Sequence, residues 1–273
     1  MIIDAHAHSC GIYGDEQLIF ENMKRQGIDR VILSAGQKGS IKNYNLPNLG
    51  QYIKSSKLMY FFNRIIRIIV NKTGAANFID SENEKIANMA EKNPEYIMNT
   101  YWADLSNKNC IEKLKKFQLK HDFAMIKLHQ CWNKFNIRDD NFIEIVKLAK
   151  EIEKPIFIHL ISKEEIREFI RFSKKHKDTI FIMANLIGIE EFDNTINKNI
   201  YFDISCPELN SLEMLKRAYE LVGAERLILG SDSPYGDNNI NKAINKLRDL
   251  NMSVAEINMI CSENIEKILC KKC

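Results

Sequence analysis

Eight short apolar, β-branched runs recur along the chain with helical patterns between them, and this alternation constrains the fold more than any other feature. The runs cover residues 2–5, 30–34, 97–103, 123–128, 156–159, 180–184, 200–205 and 227–230. Between most of them apolar residues fall at i, i+3 and i+4, the period of a helix with one buried face. Phe142, Ile145, Val146, Ala149 and Ile152 make one such face, and Ile166, Phe169 and Ile170 another. Ser81 with Glu84, Ser162 with Glu165 and Ser253 with Glu256 have the spacing of a capping box at a helix start. Gly223 stands where a helix C-cap is expected, after Leu221 and Val222. Eight strands alternating with helices in 273 residues predict an α/β protein, a (β/α)8 TIM-type barrel, with an open doubly wound sheet as the alternative. No repeat, linker or low-complexity tract divides the chain, so residues 1–273 are expected to be one barrel domain.

One interval breaks the rhythm. The second strand starts at residue 30 and the third at 97, whereas the other strand starts are separated by half that distance or less. The excess, residues 37–80, holds a polar loop over 37–56 and an apolar helix over 57–72. Loops that follow strands leave the C-terminal face of a barrel, so this insertion should begin above the active site. It can pack on the barrel flank, cover the pocket as a lid, or make a homodimer contact through Phe61, Phe62, Ile65 and Ile69.

The histidines carry the chemistry. His6 and His8 end the first strand, and side chains at i and i+2 of a strand point to one face. Two imidazoles at the C-terminal end of a barrel strand pack poorly in a core but ligate a divalent metal well. His159 ends the fifth strand in PIFIHL, and Asp232 follows the eighth in LILGSDSPY. Three imidazoles and a carboxylate at one barrel mouth form a mixed nitrogen and oxygen set suited to zinc, with manganese, iron or nickel as alternatives. MIKLH places Lys127 and His129 on one face of strand four. An ammonium beside a dication is repelled, so Lys127 must be neutral, pair with an anion, or be carboxylated and become a metal ligand.

Charge and cysteine usage narrow the partners. With 39 Lys and Arg against 36 Asp and Glu the formal net charge is +3, too balanced for a nucleic-acid surface. The seven cysteines are odd in number and scattered; Cys270 and Cys273 come closest to a pair. They read as reduced thiols of a cytoplasmic protein. The N-terminus has no signal-peptide pattern, and the most apolar stretch, 58–70, is too short and too charged to span a bilayer. The expected partner is a small-molecule substrate, with no nucleic acid and no membrane.

Taken together, DAHAH, IKLH, FIHL and GSDSPYGD resemble the amidohydrolase superfamily, most closely the branch of aminocarboxymuconate-semialdehyde decarboxylase-like enzymes. The likeness runs through most of the chain and includes the ending SVAEINMICSENIEKIL; the insertion lies outside it. It implies a distorted barrel holding a metal on His6, His8, His159 and Asp232, with Asp232 also taking the proton of the attacking water. Hydrolysis of an amide, ester or lactone bond, or nonoxidative decarboxylation, is the implied chemistry. One position departs from the pattern: where the family carries a strand-six histidine in a stretch like AHLGG, this chain reads MANLIG, with Asn185. A weak ligand there favours one ion over two, with His129 on strand four as the alternative source of the missing imidazole. The same departure would also mark a barrel kept only to bind a ligand, without catalysis.

Trp102, Trp132, Tyr235, His129 and Asn185 are the expected substrate-binding residues, with Asp237 a further one in the eighth loop. Asp4 is expected on the face of His6, deeper in the barrel. His121 and His176 read as surface residues. Phosphodiester-cleaving barrels also use HxH but resemble a pattern with a carboxylate on strand four, where this chain has Lys127.

Overall fold

A computed structural model describes residues 1–36, 45–73 and 78–270. Eight strands stand in chain order: β1 (Ile3–His8), β2 (Arg30–Ser34), β3 (Ile97–Trp102), β4 (Met125–His129), β5 (Ile156–His159), β6 (Phe181–Met183), β7 (Ile200–Asp203) and β8 (Leu227–Ile228). Each pairs in parallel with the next, from β1 to β8. The segment after β8 returns to β1, with Ala5 N–H donating to Leu229 O at 3.0 Å and His8 N–H to Ser233 O at 2.9 Å. The architecture is the (β/α)8 barrel.

Two shells of apolar side chains hold it. Ile3, Ala5, Ile32, Met125, Phe157, Ile182 and Ile228 fill the barrel interior, and Ile265 and Ile268 from the C-terminal helix plug its lower end. A larger shell lies between the strands and the helices and takes in the expected faces, Phe142, Ile145, Val146 and Ala149 on one helix and Ile166 and Phe169 on the next. Parallel strands covered on both sides read as continuous apolar runs, which is why the strand positions were visible.

The helices are α1 (Glu16–Gln26), α2 (Lys57–Thr73), α3 (Ile79–Lys92), α4 (Cys110–Gln118), α5 (Asp140–Glu151), α6 (Lys163–Ser173), α7 (Leu212–Val222), α8 (Asn239–Asp249), α9 (Val254–Asn258) and α10 (Asn264–Leu269). Between β6 and β7 two 3-10 turns, Ala184–Leu186 and Ile189–Glu191, replace a full helix. Of the expected caps, Ser253 and Glu256 form the full box, Ser162 accepts from Glu165 N–H, and Gly223 closes α7. Ser81 is not a cap, because α3 starts two residues earlier and the Ser81 hydroxyl donates to Phe78 O instead. Asn264 Nδ2 donates to the carbonyls of Ala224 and Leu227, tying the C-terminal helix to the start of β8.

The insertion folds over the C-terminal face. Its loop is anchored on the β6–β7 and β7–α7 connections, where Ser56 Oγ accepts from Gly188 N–H at 2.6 Å and Gly50 N–H donates to Glu208 O at 2.6 Å. The inner face of α2, with Met59, Tyr60 and Asn63 buried, packs inward, while Phe61, Phe62, Ile65 and Ile69 remain exposed. Residues 37–44 of the expected polar loop, and Cys273 of the terminal cysteine pair, lie outside the described residues. Among the described residues no helix is long and apolar enough to cross a membrane.

Candidate metal centre

Backbone irregularity places the first two histidines. The β1–β2 register slips between Asp4 and Ala7, a bulge that shifts the phase of alternation within β1. Below the slip Ile3 and Ala5 face the barrel interior; above it His6 lies over the Phe157 ring, with centroids 4.5 Å apart, while Ala7 joins the outer shell. Asp4 therefore does not share the face of His6 as simple alternation suggested. It turns outward, where Oδ2 accepts from Tyr13 OH at 3.0 Å and Oδ1 from Ser231 N–H at 2.8 Å. Burial raises the Asp4 carboxyl to about 6 against the lowering effect of these hydrogen bonds.

The two imidazoles are held from behind. His8 Nδ1 lies 2.9 Å from the Ala35 carbonyl, which can only accept, so Nδ1 carries the proton and Nε2 presents a lone pair. His6 Nδ1 lies 3.0 Å from Asp203 Oδ2 and 2.9 Å from Ser205 Oγ, a carboxylate brace of the kind that orients metal-ligating histidines. Both Nε2 atoms approach the same oxygen, Asp232 Oδ1, at 3.3 Å and 3.4 Å. Three acceptor atoms from β1 and the β8 loop converge in a buried space, all within 4.8 Å of one another. Such a set favours a cation between its members, and its two imidazoles and one carboxylate match the donor preferences of zinc and its neighbours. The donor set thus fits a divalent metal.

Lys127 sits beneath this trio, fully buried, with Nζ 2.7 Å from His6 Nε2 and 4.2 Å from the Phe157 ring centre. Burial lowers its amine to about 8, against the pull of Asp232 and Asp203 toward the charged form. The same burial, with Lys127 adding to it, holds His6 well below the ordinary imidazole range and His159 at about 4. For Asp232 burial acts upward, but His6, His8 and Lys127 prevail and bring the carboxyl down to about 2.

Asn185 stands at the end of β6 with Nδ2 donating to Asp232 Oδ2 at 3.0 Å, while its Oδ1 accepts from Ser205 Oγ. The far oxygen of Asp232 is thereby fixed and Oδ1 is turned toward the histidines. Asn185, Leu186, Cys206 and Asp232 all have positive φ, between 52° and 56°, although none is glycine. Strained backbone gathered on three adjacent strand ends is the pattern of a site whose side chains must be aimed. Gly230 serves the same end: a Cβ there would lie 2.7 Å from both His6 Cβ and Asp203 Oδ1, so only glycine lets β8 approach so closely.

His159 is not in the trio with His6, His8 and Asp232. It pairs across the β4–β5 register with His129, the rings stacked with centroids 4.0 Å apart, and with Cys131 these form a second potential ligand group. Trp102 stacks on the other side of His129, with its Nε1–H donating to Asn133. His129, His159, Asn185, Trp102, Trp132 and Tyr235 all border one cavity of about 410 Å³ with the histidine–aspartate trio at its floor. The insertion supplies Leu46, Pro47, Leu49, Met59, Phe62 and Ile66 to the upper wall, so the apolar helix is both packed on the barrel and part of the pocket. Asp237 instead turns outward to Arg25 at 3.2 Å. His121, expected on the surface, has a largely covered side chain clamped between Glu84 and Glu91 of α3.

Sequence reasoning missed Asp203, Ser205 and Cys131. Asp203 ends β7 and Ser205 follows it at i+2, in FDIS, the same spacing that drew attention to His6 and His8, but neither residue type is diagnostic alone.

Residues 3–270 match the family model described as TatD related DNase. None of the curated proteins compared with the chain matches it significantly. Among solved structures, 5-carboxyvanillate decarboxylase from Sphingomonas paucimobilis is 12% identical, with 98% of each chain covered and a TM-score of 0.65. An amidohydrolase from Burkholderia multivorans is 12% identical over 98% of this chain and 99% of that one, at 0.64. 4-Oxalomesaconate hydratase from Rhodopseudomonas palustris is 14% identical over 98% and 95%, also at 0.64. At such identities these likenesses speak for the fold, and three different reactions share it.

Proposed function

The chain belongs to the TatD related DNase family, within the amidohydrolase superfamily of metal-dependent barrel enzymes, and from that premise we propose that it hydrolyses an amide, ester or lactone bond of a small molecule with an apolar body. The observation that carries this reading is the convergence of His6 Nε2, His8 Nε2 and Asp232 Oδ1 on one buried point at the floor of an apolar-walled cavity. His6, His8 and Asp232 would hold one divalent cation, with zinc the best match to the donors, and His159 stands beside them on β5. A cation bound there would supply Lewis-acid activation of water and of a substrate oxygen.

The remaining work falls to the chain itself. Asp203 and Ser205 fix the His6 ring, and the Ala35 carbonyl fixes that of His8. Asn185 holds Oδ2 of Asp232, so the carboxylate is aimed at the reacting centre, where it takes a proton from attacking water and returns it to the leaving group. Trp102, Trp132 and Tyr235 bound the space in which the substrate body lies, and the walls from α2 limit entry of bulk water. Lys127, if carboxylated, would offer an anionic oxygen to the metal; as an amine it lies against His6 Nε2, a position that a bound cation would take over.

A phosphodiester is the second reading, favoured by the family description. Against it stand the near-neutral net charge and the apolar walls, since a polyanion is held by cations. A panel of aryl esters, lactones, aromatic carboxylates and a short DNA duplex, given to the zinc-loaded chain, tests the proposal. Ester or lactone hydrolysis that Asp232→Asn abolishes is expected. Cleavage of DNA alone, or release of carbon dioxide from the carboxylates alone, would overturn it.

A further inference from the structure

We propose that α2 is a membrane-surface helix that docks the cavity-covering insertion onto an anionic bilayer. The outward side of α2 is apolar: Phe61, Ile65 and Ile68, spaced i, i+4 and i+7, are 57%, 40% and 56% exposed. Soluble surfaces scatter such residues singly, whereas here they form one stripe on one helix. The stripe is bordered by cations. Between Lys57 and Thr73 the chain carries Lys57, Arg64, Arg67 and Lys72 and not one Asp or Glu. Among the described residues none of these four is in an ion pair. Lys57, Arg64 and Lys72 are exposed, while Arg67 is half-buried beside Arg64 along a groove that reaches Glu165.

Charge decides between the candidate occupants of this face. A second copy meeting the face about a two-fold axis would set four cations against four with no acid in either helix, an arrangement that repels. An anionic headgroup layer supplies the countercharge that α2 itself lacks, and Phe and Ile side chains reach below it, as in helices that lie in the interface plane. Position agrees with this choice. Met59, Phe62 and Ile66 on the other side of the same helix line the cavity wall, so docking sets that wall of the cavity against the headgroups. The expectation of no membrane partner rested on the lack of a spanning segment; lying on a surface needs none.

The test uses the full chain and sedimentation with extruded vesicles of phosphatidylcholine alone or mixed with phosphatidylglycerol. Binding is expected on the mixed vesicles, falling as salt rises, and not on phosphatidylcholine alone. Phe61→Ser with Ile65→Ser and Ile68→Ser should lower partitioning by about tenfold or more. Lys57→Gln and Lys72→Gln should each lower it about fivefold, at about 1 kcal/mol per cation. Thermal melting confirms that each variant folds, and the lysine variants keep the test open should the triple variant not fold. No binding to anionic vesicles, or binding that both the serine and glutamine variants leave unchanged, would overturn the proposal. So would a dimer in light scattering that the serine variant dissociates, which would give the face to a second copy.

Discussion

At the scale of single residues, Asn185 concentrates the account. By type it looks like a loss, an amide where related barrels carry an imidazole. By contact it is a brace, with one end on Asp232 Oδ2 and the other accepting from Ser205. Asn185→Ala leaves the His6, His8 and Asp232 donors in place but lets the carboxylate rotate. Residues that support metal ligands in this way typically contribute 10- to 100-fold to affinity or activity, about that much being expected here. Competition titration of zinc against a chromogenic chelator checks it; unchanged affinity together with unchanged turnover would remove Asn185 from the site. His6 and His8 were legible because their strand spacing, weak as a signal alone, gained force from His159 and Asp232 at the ends of other strands. Asp203 and Ser205 were not, because a strand-end Asp or Ser is common and its meaning comes only from the imidazole it touches.

At the scale of elements, the insertion and the α3–α4 region carry separate predictions. Ser56 is fully buried and its hydroxyl joins the insertion to Gly188 N–H and to Glu190. Ser56→Ala leaves that N–H without its partner, a local cost of about 1–3 kcal/mol. Faster amide hydrogen exchange along α2, with the strands unchanged, is the expected readout. Protection unchanged in α2 would mean that its apolar inner face alone holds it.

His121 follows α4 and bridges to α3. Its hydrogen bond with Glu91, and next the one with Glu84, raise its pKa above the ordinary 6.5, burial notwithstanding. A pKa raised by folding adds stability that is complete below the unfolded value and fades as pH rises through the folded one. Stability should therefore drop from about pH 6.5 upward by up to about 1 kcal/mol, and His121→Gln should flatten that part of the profile. Urea midpoints at pH 5.5 and 8.5 for both proteins check this, and identical slopes would refute it. Pattern reading left His121 on the surface because α3 and its two glutamates approach only through tertiary folding.

At the scale of the whole molecule, the eight strands were readable because each is buried on both faces and so is apolar without alternation. The long interval before β3 announced the insertion, and its start on the C-terminal face followed from barrel geometry. Its exact resting place did not follow, because the anchors are single contacts such as Ser56 to Gly188 and Gly50 to Glu208. The bulge in β1 was equally hidden: alternation put Asp4 with His6, and only the register slip separates them. Eight strand ends then deliver candidate ligands, braces and cavity walls to one face, while the insertion roofs that face with apolar side chains.

The central claim is that His6, His8 and Asp232 hold one divalent ion. Elemental analysis of the full chain after zinc loading and desalting, beside the His8→Ala and Asp232→Ala variants, addresses it directly. One tightly held ion per chain, lost in both variants while their folds persist, is the predicted result. A wild-type chain that retains no divalent ion, or variants that keep theirs, would contradict it.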